Sequence, residues 1–262
     1  MDEGCLRPRI NTEPGGTRET WAPIKLTLII SLMEIDLNCD LGEGCGRDEE
    51  LMALITSANV ACGFHAGDSA TAMRTIRAAV RHGVKVGAHP GFADREHFGR
   101  RELVQTEPQI LEDCLYQIGA LAGLARDAGT TLHHTKPHGA LYNMACRDDH
   151  YARPIVETAA LFQLPLLGLP DSRLQALSLG RCSFVAEGFA DRRYQPDGSL
   201  TPRSSPDAFI ENPAEAVAQV SKLIQEKSVR TICVHGDNPR AVEFIRELRK
   251  ALLGHGISIR PF

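Results

Sequence analysis

The residues able to do chemistry in this chain sit in short polar clusters, each beside glycine and most at the end of an apolar run. Asn38 and Asp40 alternate at the end of the run Met33–Leu37, and Glu43 follows in the glycine-rich turn Gly42–Gly46. Alternate residues of an extended chain point the same way, so this amide and this carboxylate are presented together. A carboxylate here can bind a metal, act as a general base or orient a histidine; a turn followed by a helix cap would also use these residue types. His65 lies between Gly63 and Gly67, three residues before Asp68. Asp68 or Ser69 can cap a following helix, but His65 has no such use, and small neighbours allow a ligand close approach. His89-Pro90-Gly91 ends another run, and beyond it Asp94-Arg95 and Arg100-Arg101 can supply cations to a carboxylate or phosphate. Lys136 and His138 alternate at a further strand end, an ammonium and an imidazole suited to polarising a carbonyl and moving a proton. Asp191-Arg192 and His235-Gly236-Asp237 complete the set, while His133 and His134 read as ordinary strand residues. Asp40 and His65, with His138 or His89, would also make the one-carboxylate, two-histidine set of many metal hydrolases, although no His-Glu-x-x-His spacing is present.

The elements that position these clusters alternate strand and helix. Expected strands are Met33–Leu37, Ala58–Ala61, Val84–Ala88, Thr130–Thr135, Leu166–Leu169, Ser183–Ala186, Thr231–Val234 and Ile257–Ile259. Helices are expected over Asp48–Ile55 and Ser69–His82, and from a Thr106 cap to Ala128. Others follow over Tyr151–Leu161 and Ser172–Leu179, from Asn212-Pro213 to Glu226, and from Asn238-Pro239 to Leu253. Short loops between β-α units imply a parallel sheet with helices outside it. Functional residues after six different strands favour a closed barrel over an open sheet, which gathers them at one switch point. The stretch from Asp191 to Ile210 is the longest loop, with a turn or small hairpin expected over the barrel mouth.

Composition narrows the function. The 262 residues carry a formal net charge of −4 and no Lys/Arg-rich run, which argues against a nucleic-acid partner. Eight cysteines occur singly with no Cys-x-x-Cys pair, as expected of reduced thiols in a cytoplasmic protein. Leu26–Leu32 is too short to span a bilayer. Residues 1–32 lack periodicity and read as a poorly ordered N-terminal extension, with Met33 a plausible start and 33–262 a single catalytic domain. No Gly-x-x-x-x-Gly-Lys-Ser/Thr loop is present to bind ATP.

Seven segments together resemble the LamB/YcsF family. They are Asp36-Leu37-Asn38-Cys39-Asp40-Leu41-Gly42-Glu43-Gly44, Ala58–Asp68, Gly87-Ala88-His89-Pro90-Gly91, Phe98-Gly99-Arg100-Arg101, Lys136–Tyr142, Phe189–Tyr194 and Cys233-Val234-His235-Gly236-Asp237. Gly188 stands where the resemblance leads one to expect a larger residue. The resemblance implies an α/β fold, a single seven-stranded β/α barrel of the glycoside hydrolase/deacetylase type. It also implies opening of the 5-oxo-L-proline lactam to L-glutamate, with ATP as co-substrate and two further subunits as partners. On that reading Asp40 or Asp237 is the base, and His65 and His138 carry protons. Asn38, Glu43, His89, Arg100, Lys136, Asp191, Arg192 and His235 bind substrate, the Lys and Arg groups as anion binders. Metal-dependent relatives of that fold place an Asp after strand one and a His after strand two, matching Asp40 and His65, so a divalent metal is an open expectation. The alternative is a stand-alone metal-dependent deacetylase or amidohydrolase.

Overall fold

The computed structural model describes Met1, residues 33–236 and residues 240–262. The expected N-terminal extension, Asp237 and the Asn238-Pro239 helix start all lie outside the described residues.

Among the described residues eight parallel strands form: β1 (Glu34–Leu41), β2 (Ser57–Ala61), β3 (Lys85–His89), β4 (Leu132–Thr135), β5 (Leu166–Gly168), β6 (Phe184–Phe189), β7 (Thr231–His235) and β8 (Ser258–Ile259). β1 pairs with both β2 and β7, which closes the first seven into a barrel; β8 pairs only with Glu34 and Ile35 at the start of β1. The connecting helices are α1 (Asp48–Met52), α2 (Ser69–His82), α3 (Glu107–Asp127), α4 (Gly139–Arg147), α5 (Asp149–Leu161), α6 (Arg173–Ser178), α7 (Pro213–Lys227) and α8 (Ala241–Gly254). Their ends follow the expected chemistry. The Asp68 side chain accepts from Thr71 N at 2.7 Å, Thr106 and Gln109 form a reciprocal capping box, and Asn212 caps α7 with Pro213 at its first position. Helix α4 was not among the expected elements, because the apparent loop Lys136–Gly139 runs directly into it.

Alternation along the strands divides the barrel into two chemistries. Leu37, Cys39, Leu41, Val60, Ile232 and Val234 belong to the apolar cluster shared with the helices. The other face of β1 carries Asp36, Asn38 and Asp40, and these reach across the barrel interior to polar side chains of other strands. Asp36 Oδ1 accepts from Ser57 Oγ at 2.7 Å and Thr56 Oγ1 at 2.6 Å, and its Oδ2 accepts from Thr231 Oγ1. One level up, Asn38 Nδ2 donates to Thr231 Oγ1 at 2.7 Å and Glu187 Oε1 at 3.0 Å, while Asn38 Oδ1 accepts from Asn59 Nδ2 at 2.7 Å. His134 Nε2 donates to Asn59 Oδ1 at 2.7 Å. The usual filling of such a barrel is layers of branched aliphatic side chains; here it is a hydrogen-bonded stack, tolerable because nearly every buried group has a partner. His134, expected as an ordinary strand residue, is one of its members.

One glycine makes room for this stack inside the barrel, and another lets a helix close on its outside. A Cβ on Gly87 would stand 2.0 Å from His134 Nε2. Gly87→Ala is therefore expected to cost about 1–3 kcal/mol by overpacking. The double variant Gly87→Ala/His134→Ala should be more stable than Gly87→Ala alone in urea unfolding; equal stabilities would refute the steric account. Gly188 faces outward, where an added Cβ would meet Leu223 Cδ1 at 2.9 Å and Ile232 Cδ1 at 3.0 Å, so α7 packs onto β6 in the space a larger residue would fill.

Candidate active site

A cavity of about 230 Å³ opens among the strand ends. Asp40, Glu43, His89, Lys136, His138 and His235 line it from the barrel. Arg192 and Leu200–Arg203 line it from the long loop, and Arg100 from the segment after β3. The expected hairpin is present in that long loop: Tyr194 bridges Leu200 and Arg192 bridges Phe209, both antiparallel. The floor is ionic. Lys136 Nζ lies 3.1 Å from Asp40 Oδ1, 2.9 Å from Glu187 Oε1 and 3.0 Å from Cys233 Sγ. Burial would depress the Lys136 ammonium, but Asp40 and Glu187 outweigh it and hold Lys136 well above the ordinary lysine range. Burial likewise works against the Asp40 carboxylate, yet His89 and Lys136 keep it well below the carboxylate range, so both groups are charged at neutral pH. Tyr142 also lines the cavity; burial and then the Glu187 charge push its phenol well up, leaving it an O–H donor.

Beside this pair stands a cluster of Glu43 and three histidines. His65 and His138 stack with ring centroids 3.8 Å apart and planes 2° from parallel, and His89 meets each edge-on. Glu43 Oε1 is 3.3 Å from both His65 Nε2 and His138 Nδ1. His138 is fixed by its place at the start of α4, with its own N–H on Pro90 O at 2.8 Å. The loop from Gly91 to Gly99 wraps the rings so closely that a Cβ on Gly99 would be 2.7 Å from His65 Cβ and 3.0 Å from His138 Cδ2. Burial lowers the pKa of His65, against the raising effect of Glu43, and lowers that of His138 further. Both rings are thus neutral at neutral pH.

The expected site residues do not all share this cavity. Asp40, Glu43, His89, Arg100, Lys136, Arg192 and His235 line it together with His138. His65 is buried behind Glu43, at 1% exposure. Asn38, expected to bind substrate, is fully buried one level below and is committed to Glu187, Thr231 and Asn59, because its strand position falls inside the barrel rather than at its rim. Asp191, expected beside the substrate, instead holds His235: its Oδ2 is 2.9 Å from His235 Nδ1 and 3.1 Å from the His235 backbone N. It lines a second cavity of about 220 Å³ with Glu211, Glu243 and Glu247. Tyr142 and Arg203 line the cavity and Glu187 and Cys233 contact Lys136, although none of the four is among the expected site residues. Glu187 had a legible signal, since it alternates with Phe189 and Asp191; Cys233 and Arg203 had none that distinguishes them from core and surface residues.

Asp191 offers a pH test. Burial raises its pKa, but His235, by charge and by side-chain and backbone hydrogen bonds, produces a net lowering. A carboxyl with a depressed folded pKa contributes stability that is fully present above the unfolded value of about 3.9 and is lost as pH falls through the folded one. The stability gap between wild type and Asp191→Asn is therefore expected to narrow as pH falls below about 4. Urea unfolding above and below that pH checks it; a gap that widens on acidification would reverse the sign.

Fold and site together define a class: a closed β/α barrel whose strand ends hold a buried lysine–carboxylate pair next to a histidine cluster. The sequence pattern of the LamB/YcsF family matches residues 35–262, and the chain belongs to that family. It is 46% identical over 245 residues to the 5-oxoprolinase A subunit of Methylococcus capsulatus, covering 86% of this chain and 94% of that protein. The same-named protein of Tolumonas auensis is 45% identical, with 87% and 99% covered. The crystal structure of the lactam utilization protein from Thermus thermophilus superposes with a TM-score of 0.81 at 40% identity, over 88% of this chain and all of that one.

Proposed function

We propose that this chain is the A subunit of an ATP-dependent 5-oxoprolinase, the hydrolase that opens the lactam of 5-oxo-L-proline to L-glutamate. The observation that carries the reading is a small cavity combining guanidinium groups (Arg100, Arg192, Arg203) with a carboxylate–imidazole wall (Asp40, Glu43, His89, His138), in a chain so similar to proteins of that name. A cyclic amido acid needs both halves: cations for its carboxylate, and a wall that holds water and accepts its proton at the amide carbon.

The lactam is a poor electrophile, and ATP supplies the activation. Phosphoryl transfer to the amide oxygen releases ADP; water then adds to the activated carbon, and the ring nitrogen takes a proton and departs. The resulting acyl phosphate is hydrolysed by a second water to glutamate and phosphate. In our reading two further subunits carry the ATP chemistry and this barrel receives the activated ring, in the cytoplasm. Lys136 lies beside Asp40 at the cavity floor, placed to meet the developing negative charge on oxygen. Arg192 is 5% exposed, with its pKa lowered to about 10 mainly by burial and then by Arg203, so it stays cationic.

The test is glutamate release from 5-oxoproline and ATP by this chain alone, and then with candidate partner subunits. Turnover in the mixture only is the expected result. Turnover by the single chain, or without ATP, would overturn the division of labour. In the mixture, Arg192→Gln is expected to raise KM for 5-oxoproline about tenfold or more, the scale of losing one charge-assisted hydrogen bond, with kcat less affected. An unchanged KM would remove Arg192 from substrate binding.

A further inference from the structure

The protons on the histidine cluster can be counted. His89 Nδ1 is 2.7 Å from Lys136 O, and His138 Nε2 is 2.9 Å from Phe98 O. A carbonyl oxygen only accepts, so each of these nitrogens carries hydrogen. With one N–H on each ring, His89 Nε2 and His138 Nδ1 are left as bare lone pairs, and they face one another at 2.9 Å. Glu43 Oε1, a third lone-pair atom, is 3.3 Å from His138 Nδ1 and 3.9 Å from His89 Nε2. His65 Nε2 lies 3.3 Å from the same oxygen, with no carbonyl on Nδ1 to fix its tautomer, and all four atoms lie within 4.8 Å of one another. The three lone pairs of Glu43, His89 and His138 converge on one point, away from bulk water, and repel unless a cation stands between them; His65 can turn a fourth toward it. One shared proton would relieve the His89–His138 contact alone.

We propose that Glu43, His65, His89 and His138 bind one divalent transition-metal ion of the zinc type at the wall of the cavity. Four ligands about 2.0–2.1 Å from a tetrahedral ion are roughly 3.3–3.4 Å apart, which is the spacing these atoms bracket. The two carbonyls do what carbonyls behind metal-bound histidines do: they take the far N–H, fix the ring's orientation and aim the bare nitrogen inward. Three imidazoles to one carboxylate select zinc or cobalt over magnesium or calcium. Asp40, the carboxylate expected to join His65 in such a site, is excluded from the set because its Oδ1 is taken by Lys136 and Asn59. Its Oδ2 is 3.3 Å from His89 Nε2, leaving Asp40 beside the ion rather than on it. The inference stands on donor geometry and is independent of the oxoproline reading.

The experiment uses the full chain, stripped with chelator and titrated separately with Zn²⁺ and Co²⁺. Elemental analysis and the visible absorption of Co²⁺ are the readouts, and neither depends on turnover. Expected are one ion per chain with a tetrahedral cobalt spectrum, and affinity at least about 10–100-fold weaker in Glu43→Gln and His138→Gln. His133→Gln, outside the cluster, should bind like wild type. Two results overturn the proposal: wild type taking up neither metal in stoichiometric amount, or equal binding by wild type and both cluster variants. If the cluster variants fail to fold, nitrogen NMR of the wild-type imidazoles decides. His89 Nε2 or His138 Nδ1 protonated and unmoved by added Zn²⁺ would mean that a proton fills the site.

Discussion

Replacing Asp40 by asparagine is expected to lower glutamate release by the assembled enzyme about 10²–10⁴-fold, the range for losing a positioned proton acceptor, while the unfolding midpoint moves little. The amide is isosteric, and its oxygen can keep the bonds from Asn59 Nδ2 at 2.8 Å and Lys136 Nζ at 3.1 Å. Lys136 retains Glu187 Oε1 at 2.9 Å as its counter-charge. What disappears is the negative charge at the cavity wall, 3.3 Å from His89 Nε2, where an attacking water would lose its proton. Steady-state kinetics and thermal unfolding on the same preparation separate the two effects. Turnover within a few-fold of wild type would remove Asp40 from the chemistry; a collapse of stability would make its role structural.

The second large effect is expected from Lys136→Met. The ammonium is 3% exposed and neutralises two buried carboxylates. Deleting one partner of such a group leaves the others uncompensated, at a cost of about 3–5 kcal/mol, and activity should fall with it. Adding Glu187→Gln removes one stranded charge. The double variant Lys136→Met/Glu187→Gln is therefore expected to regain a substantial part of the lost stability without regaining turnover. If it is no more stable than Lys136→Met in urea unfolding, packing of the lysine stem, and not its charge, is what the single variant lost.

Much of this was legible in the amino-acid order, for a physical reason. Alternation at strand ends forces Asn38 with Asp40, and Lys136 with His138, onto common faces, so these pairs could be read from spacing alone. Depth in the barrel could not be read. Asn38 and Asp40 share a face, yet two residues of rise put one in the polar stack and the other at the cavity. Partners far apart in sequence were equally hidden: nothing local links Asn38 to Glu187, 149 residues away, or Lys136 to Cys233, 97 away. Asp191 was misplaced because its chain neighbour Arg192 does face the cavity, and which of two adjacent residues does so depends on how the hairpin leaves β6. Helix α4 was lost because Lys136-Pro137-His138-Gly139 looks like a turn; the proline and glycine serve the entry to a helix instead.

The hydrogen bond from Thr231 to Asp36 joins residues 195 apart, the first and last strands of the closed barrel. At about 5–20 residues per second on the ribosome, roughly 10–40 s separate the emergence of these two groups. Through that interval Asp36 and Asn38 can reach Thr56, Ser57 and Asn59, but water stands in for Glu187 and Thr231. An aliphatic interior could begin to collapse on a few strands; this one gains its full set of partners only when β7 arrives. The nascent chain is therefore expected to stay open, and dependent on whatever shields it, until nearly all of it has been made.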